Sequence, residues 1–437
     1  MLTFGKRIKK NKNFNNRKGM NPSFLKRLWT TYPTWIIFAL CLPIFFFEAK
    51  TENDFDIFIQ ASRDWLTGKN PYAELYHEWY HYFYDVTFIT VLSWFQFLPN
   101  YFIKLGWLIL NFFFLASIWR ILIDYLNLKP LGEKRLQLFG FVFFLFSLRL
   151  LRDNIHLGQM TILILFLVMK GMDLLMKNRV AAGSALISWG IVVKILPVVV
   201  IPYLVYRRKF KAAVAVVVFA LSFLLLPYLY MEKETYSNLL QSRWQLLNPS
   251  NVEHVLDTSE RSFHSLTTLV ATLFHEKCED THVLKIRRHL ADFDVHTVNW
   301  ISLIVRLLFV STFLWVLRSR PFVKAVNRSH EFAEWAYLCM LIPLIFPHQQ
   351  HYAFLMALPG FASLLVPYFT GEQELSWKKG RTWLMVFVFL SFNIGFLLGT
   401  YSAFYNHFKL LTYGGIVALL MLLFKRDSIA EVKPIGE

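Results

Sequence analysis

Residues 180–206 read VAAGSALISWGIVVKILPVVVIPYLVY, an apolar run whose one charge is Lys194. Lys177 and Arg179 precede it, and Arg207, Arg208 and Lys209 follow it. Basic residues at both ends of an apolar run mark two cytoplasmic ends. A single crossing would send every later basic loop to the other side of the membrane. A tight hairpin keeps all of them on one side, with its apex at Lys194-Ile195-Leu196-Pro197. Pro197 breaks a helix there, and broken backbone at membrane depth is tolerated only where it lines a protein-walled cavity. The topology of the chain turns on this reading.

The rest of the sequence has the same character. The chain of 437 residues is 56% hydrophobic and 18% aromatic but only 17% charged. Apolar runs recur from Tyr32 to Lys425, several of them near the roughly 20 residues that cross a hydrocarbon core. No repeat of 20–50 residues is visible. The net charge of +17 does not indicate nucleic acid, because Lys and Arg fall in short segments between apolar runs. Cys41, Cys278 and Cys339 are too scattered for a disulfide framework or a zinc site.

The basic segments 1–32, 127–136, 170–179, 206–211, 318–330, 376–381 and 425–426 are placed in the cytoplasm. The first 30 residues carry nine Lys or Arg and no acid. They are expected to form a basic cytoplasmic arm, followed by a signal anchor at 33–49 that is not cleaved. The run 84–99 lies outside or re-enters. Further spans are expected at 101–126, 136–151, 159–176, 211–230, 297–317, 332–346, 350–369, 381–399 and 406–425. The expected fold is all-α: a polytopic membrane protein of about twelve crossings, the hairpin counted as two. Residues 33–425 form one transmembrane catalytic domain with outer loops 50–83 and 231–296, and 426–437 is a cytoplasmic tail. The expected location is the plasma membrane, with both termini inside.

This layout collects the unusual polar groups on the outer face. In Asn53-Asp54-Phe55-Asp56-Ile57-Phe58, Asp54 reads either as a helix N-cap or as a general base for an incoming hydroxyl. Asp56 reads as a first-turn acid favoured by the helix dipole, or as a substrate contact. The stretch Arg152-Asp153-Asn154-Ile155-His156-Leu157-Gly158-Gln159 reads as a polar outer loop with Arg152 and Asp153 as a surface pair. Alternatively, Asn154 and Gln159 bind sugar hydroxyls and Arg152 binds a phosphate. Lys194 snorkels or meets a phosphate. His348 and His351 form a polar turn, a weak metal site or a donor contact. Arg261 is a further substrate candidate. No cofactor is expected, and a divalent metal stays open.

There is no Gly-rich phosphate loop and no soluble catalytic domain. An outward-facing enzyme of this kind needs an activated substrate already in the bilayer, such as a sugar on a polyprenyl phosphate. Arg152, Lys194 and His351 would face its leaving group. The rival reading is a transporter or flippase of polyprenyl-linked glycans.

Several pieces together resemble glycosyltransferase family 87 of the C-type superfamily. They are Asp54-Phe55-x-Ile57-Phe58-x-x-Ala61, Leu66-x-Gly68-x-x-Pro71-Tyr72, Gly158-Gln159, Ala182-Gly183, Lys194-x-x-Pro197 and Arg207-Arg208. The resemblance covers most of 35–370. It implies a C-type fold and a polyprenyl-phosphate donor, with mannose as the hexose that family members transfer. Inversion at the sugar is expected from one displacement with one base, since no second carboxylate nucleophile is evident, and the expected acceptor is a lipid or glycan hydroxyl. The resemblance also implies that Asp54 is the catalytic base and that a histidine near the end of span 332–346, best matched by His351, contacts the donor. Three positions depart from the pattern. Tyr82-Phe83-Tyr84-Asp85 lacks a Pro-Pro pair, Thr161 stands where Asn is common, and no Trp precedes the histidines.

Overall fold

The structure is a computed structural model. It describes residues 33–76, 80–248, 256, 263–276, 278, 284, 286–317, 320–325, 327–370 and 378–430. Arg261 lies outside these. The chain divides into two compact units, Met1–Phe47 and Glu48–Glu437. In the first, the described part belongs to the apolar helix α1 (Pro33–Glu48). The second unit holds all the remaining helices.

The second unit begins with α2 (Asp54–Leu66), which has one buried face, and the short α3 (Val86–Ser93). α4 (Asn100–Tyr125) and α5 (Gly132–Leu157) are long apolar rods. α6 (Thr161–Met176) and α7 (Val180–Val193) follow. A 3-10 turn at Leu196–Val199 leads to α8 (Val200–Tyr206), and then comes α9 (Phe210–Leu225). α10 (Lys233–Leu247), α11 (Leu266–Phe274), α12 (Val295–Leu317) and α13 (Arg328–Ile345) come next. A 3-10 turn at His351–Ala357 opens α14 (Leu358–Thr370). α15 (Lys378–Leu397), α16 (Ser402–His407) and α17 (Leu410–Ala430) complete the order. Among the described residues there is no strand, only the isolated bridges Tyr76 to Tyr80 and Phe263 to Gln350.

Helix directions follow from three contacts. α6 and α7 are antiparallel and nearly touch: a Cβ on Gly183 would stand 2.6 Å from the Gly171 carbonyl oxygen. Ser184 Oγ donates to the Ala212 carbonyl at 3.3 Å, and Ser188 Oγ to that of Val216 at 2.7 Å. Both partners advance together, so α7 and α9 run parallel. The segment between them must therefore double back, as the hairpin reading expects. The helix stops at Lys194, whose backbone is extended, and restarts through Pro197.

The all-α architecture is as expected, and twelve crossings are not confirmed by helix length and composition. Four helical stretches among the described residues are long and apolar enough to cross a membrane: Asn100–Tyr125, Phe210–Leu229, Val295–Leu317 and His351–Thr370. A fifth is possible if the pair Lys129–Leu157 and Thr161–Met176, bent by 116°, counts as one broken span. The hairpin arms Val180–Val193 and Leu196–Tyr206 are shorter apolar helices and are not among these four. Apolar character also marks helices buried on all sides, and α13 is buried along nearly its whole length. A helix buried in the bundle and one facing lipid therefore read alike, and helix length and composition alone do not confirm twelve crossings.

Candidate active site

The N-terminus of α2 is built by Asn53. Its side-chain oxygen accepts the Phe55 N–H at 3.1 Å, and Asp56 Oδ2 accepts the Asn53 N–H at 2.9 Å, which together form a capping box. The N-cap reading of Asp54 is thus corrected: Asn53 caps, and Asp54 is the first helical residue. Asp56 is committed to the cap and to Lys104 Nζ at 2.7 Å, so it stabilises the helix start. Lys104 itself is buried.

The stretch expected as a polar outer loop is helical up to Leu157, because α5 carries on six residues past the expected end of the span. Gly158 then turns in the left-handed region at φ 67°, and the chain bends sharply into α6. Only glycine fits there: a Cβ would lie 2.6 Å from Phe55 Cβ. The turn is pinned to α2 and α4. Asn53 Nδ2 donates to the His156 carbonyl at 2.9 Å, and Trp107 Nε1 donates to the Gly158 carbonyl at 3.0 Å. Phe55 stacks on Trp107 with centroids 5.3 Å apart.

The bend aims Gln159 at Asp54. Gln159 Nε2 donates to Asp54 Oδ2 at 2.5 Å, while its Oε1 accepts the Tyr84 hydroxyl at 3.2 Å. Burial, and after it the Asp54 carboxylate, holds the Tyr84 phenol well above its ordinary pKa, so it stays an O–H donor. The Lys194 ammonium lies 5.6 Å from the Tyr84 ring centroid and 5.8 Å from that of Tyr352. Tyr352 follows His351 and is held from α5, since Asn154 Nδ2 donates to its carbonyl at 2.9 Å. His351 Nε2 lies 3.1 Å from Asp153 Oδ2. Arg152 Nη1 reaches Asp153 Oδ1 at 3.0 Å, and Arg149 Nε reaches Oδ2 at 3.4 Å.

Asp54, Gln159, Lys194 and His351 therefore belong to one continuous set of side-chain contacts, although they are far apart in sequence. Arg152 joins it through Asp153 and is half exposed. Two assignments change. Asn154 is fully buried and its amide also bonds the Leu150 carbonyl, so it fastens the turn and offers no donor to a sugar. Asp153 is buried and meets three cationic or hydrogen-donating side chains, so it is not half of a surface pair. His348 takes φ 57° and packs its ring 5.2 Å from Phe263, beside the bridge from Phe263 to Gln350. Tyr84, Tyr352, Arg149 and Asp153 were not expected at the site. Asp153 had a signal, being the one acid in a run of bases and amides at the end of an apolar helix. Among the described residues no three His, Cys, Asp or Glu side chains group to hold a metal ion.

No curated protein and no solved structure matches the chain. The sequence model for Glycosyltransferase family 87 matches residues 82–347, more than half of the 437. Tyr84, Asp153, Gln159 and Lys194 fall inside the matched stretch. Asp54 precedes it and His351 lies just beyond. A match of this extent to an α-helical protein with several membrane-length spans settles membership: the chain belongs to glycosyltransferase family 87.

Proposed function

We propose that this membrane glycosyltransferase transfers a hexose, mannose in the first instance, from a polyprenyl phosphate to a lipid or glycan hydroxyl. Asp54 takes the proton of the acceptor hydroxyl as that oxygen attacks the anomeric carbon. The bond from that carbon to the phosphate oxygen breaks, and its electron pair leaves with polyprenyl phosphate. Lys194, Arg152 and His351 offer positive charge or a hydrogen bond to the leaving phosphate. One displacement with one base inverts the anomeric centre, and Asp56, two residues after Asp54, is engaged by Lys104 and Asn53. The reaction takes place at the outer face of the plasma membrane.

The observation that carries this reading is the Asp54–Gln159–Tyr84 hydrogen-bonded chain with Lys194 over the Tyr84 ring. It links a carboxylate and a cation through one tyrosine, which brings a base and a leaving-group partner into one neighbourhood. The test is turnover of polyprenyl-phosphate hexoses by Asp54→Asn. Loss of a general base lowers the rate about 10²- to 10⁴-fold, and a rate near that of the native chain would remove Asp54 from the chemistry.

A further inference from the structure

We infer that Asp153 is the positioning residue for His351 and sets which edge of the imidazole faces the donor; this rests on the donor contact proposed above. The two residues come from distant parts of the chain, α5 and the 3-10 turn at 351–357. Their side chains are 7% and 19% exposed. A carboxylate only accepts hydrogen bonds, so Nε2, at 3.1 Å from Asp153 Oδ2, carries the hydrogen. Nδ1 is then the ring atom left for a ligand, and it makes no hydrogen bond among the described residues. To meet a phosphate oxygen it must carry a hydrogen as well, so the ring acts there as an imidazolium beside the Asp153 carboxylate.

The ring is also held in place. Tyr352 lies edge-on to it at 5.9 Å, and Asn154 ties the Tyr352 carbonyl to α5. Asp153 needs His351 for neither charge nor burial, because Arg149 and Arg152 already flank it. Arg149 in turn stacks 4.7 Å from the Tyr405 ring centroid. An ion pair that served the fold alone would be complete within α5. The third contact, to a partly open imidazole, is what a device for aiming that ring requires.

A double-mutant cycle tests this, with turnover of a polyprenyl-phosphate hexose as the readout. H351Q and D153N should each lower kcat, by about 10- to 100-fold, with a much smaller change in KM, because the contact strengthens as charge develops on the leaving phosphate. The double variant should be no worse than the weaker single variant within about twofold, since both changes break one linkage. Losses that multiply would overturn the positioning role and leave the proposed reaction standing. Full turnover by H351Q would overturn both the positioning role and the donor contact. Should D153N fail to fold, D153E keeps the charge that Arg149 faces. It should fold and lose kcat, and native kcat in D153E would overturn the proposal.

Discussion

Gln159 spends both ends of its amide on neighbours, one on Asp54 and the other on Tyr84. That makes it a holder of the base, where sequence reasoning expected a sugar contact. Gln159→Leu should therefore lower kcat with little change in KM for the donor. A rise in KM alone would restore the sugar-binding role. The expected loss is about tenfold or more, a little beyond one hydrogen bond at about 1 kcal/mol, because Asp54 loses its orientation as well. His264 makes a prediction about stability. It is fully buried next to Lys409, Arg149 and His351, and burial first, then those charges, holds it well below its ordinary value. The unfolded chain takes up a proton there below about pH 6.5 while the folded chain does not. Stability is full above that pH and declines as pH falls toward the depressed folded value. Thermal unfolding in detergent between pH 7.5 and 5.5 should show the decline, and His264→Gln should flatten it. Asp54, Gln159, Lys194 and His351 were legible because each is a strong polar group beside or within apolar sequence. Arg149 was not, and Asp153 only as an acid out of place among bases and amides, because a pair four residues apart on a helix reads the same whether it faces solvent or a buried histidine.

At the level of elements, the site exists because α5 ends where it does. Ile155 and Leu157 are apolar, and nothing before Gly158 stops the helix, so α5 outruns the expected end at 151. Gly158 then supplies the left-handed turn that sends Gln159 toward α2, and its missing Cβ lets Phe55 sit against it. Gly158→Ala meets both demands at once. Backbone strain and the collision with Phe55 together should cost about 2–4 kcal/mol, read as a lower unfolding temperature. Activity should fall with it, since Asp54 adjoins Phe55. If Gly158→Ala lowered neither, the turn would not be what positions the base. The sequence displayed the glycine, but its collision partner lies a hundred residues earlier, and no local pattern points to it.

At the level of the whole molecule, the hairpin orders everything downstream. The reading came from basic flanks, and the parallel run of α7 and α9 supports it independently through Ser184 and Ser188. The crossing count was not legible, since an apolar helix inside a bundle and one facing lipid carry similar sequences. A second polar region marks the other end. A cavity of about 330 Å³ is lined by Asp124, Tyr125, Asn127, Asp173, Lys177, Arg328 and Ser329. On α4, Trp107 touches the active-site turn while Tyr125 reaches this cavity, and eighteen residues of helix separate them by about 27 Å. The hairpin then predicts sidedness. Arg179 and Lys211 are exposed at the cavity end, and Ile195, 54% exposed, is at the apex. Cysteines placed singly at these positions should react with a membrane-impermeant thiol reagent from two sides. Arg179→Cys and Lys211→Cys should label from one side, and Ile195→Cys from the other. Had 180–206 been a single crossing, Arg179→Cys and Lys211→Cys would label from opposite sides, and the basic loops after it would have to face away from the cytoplasm.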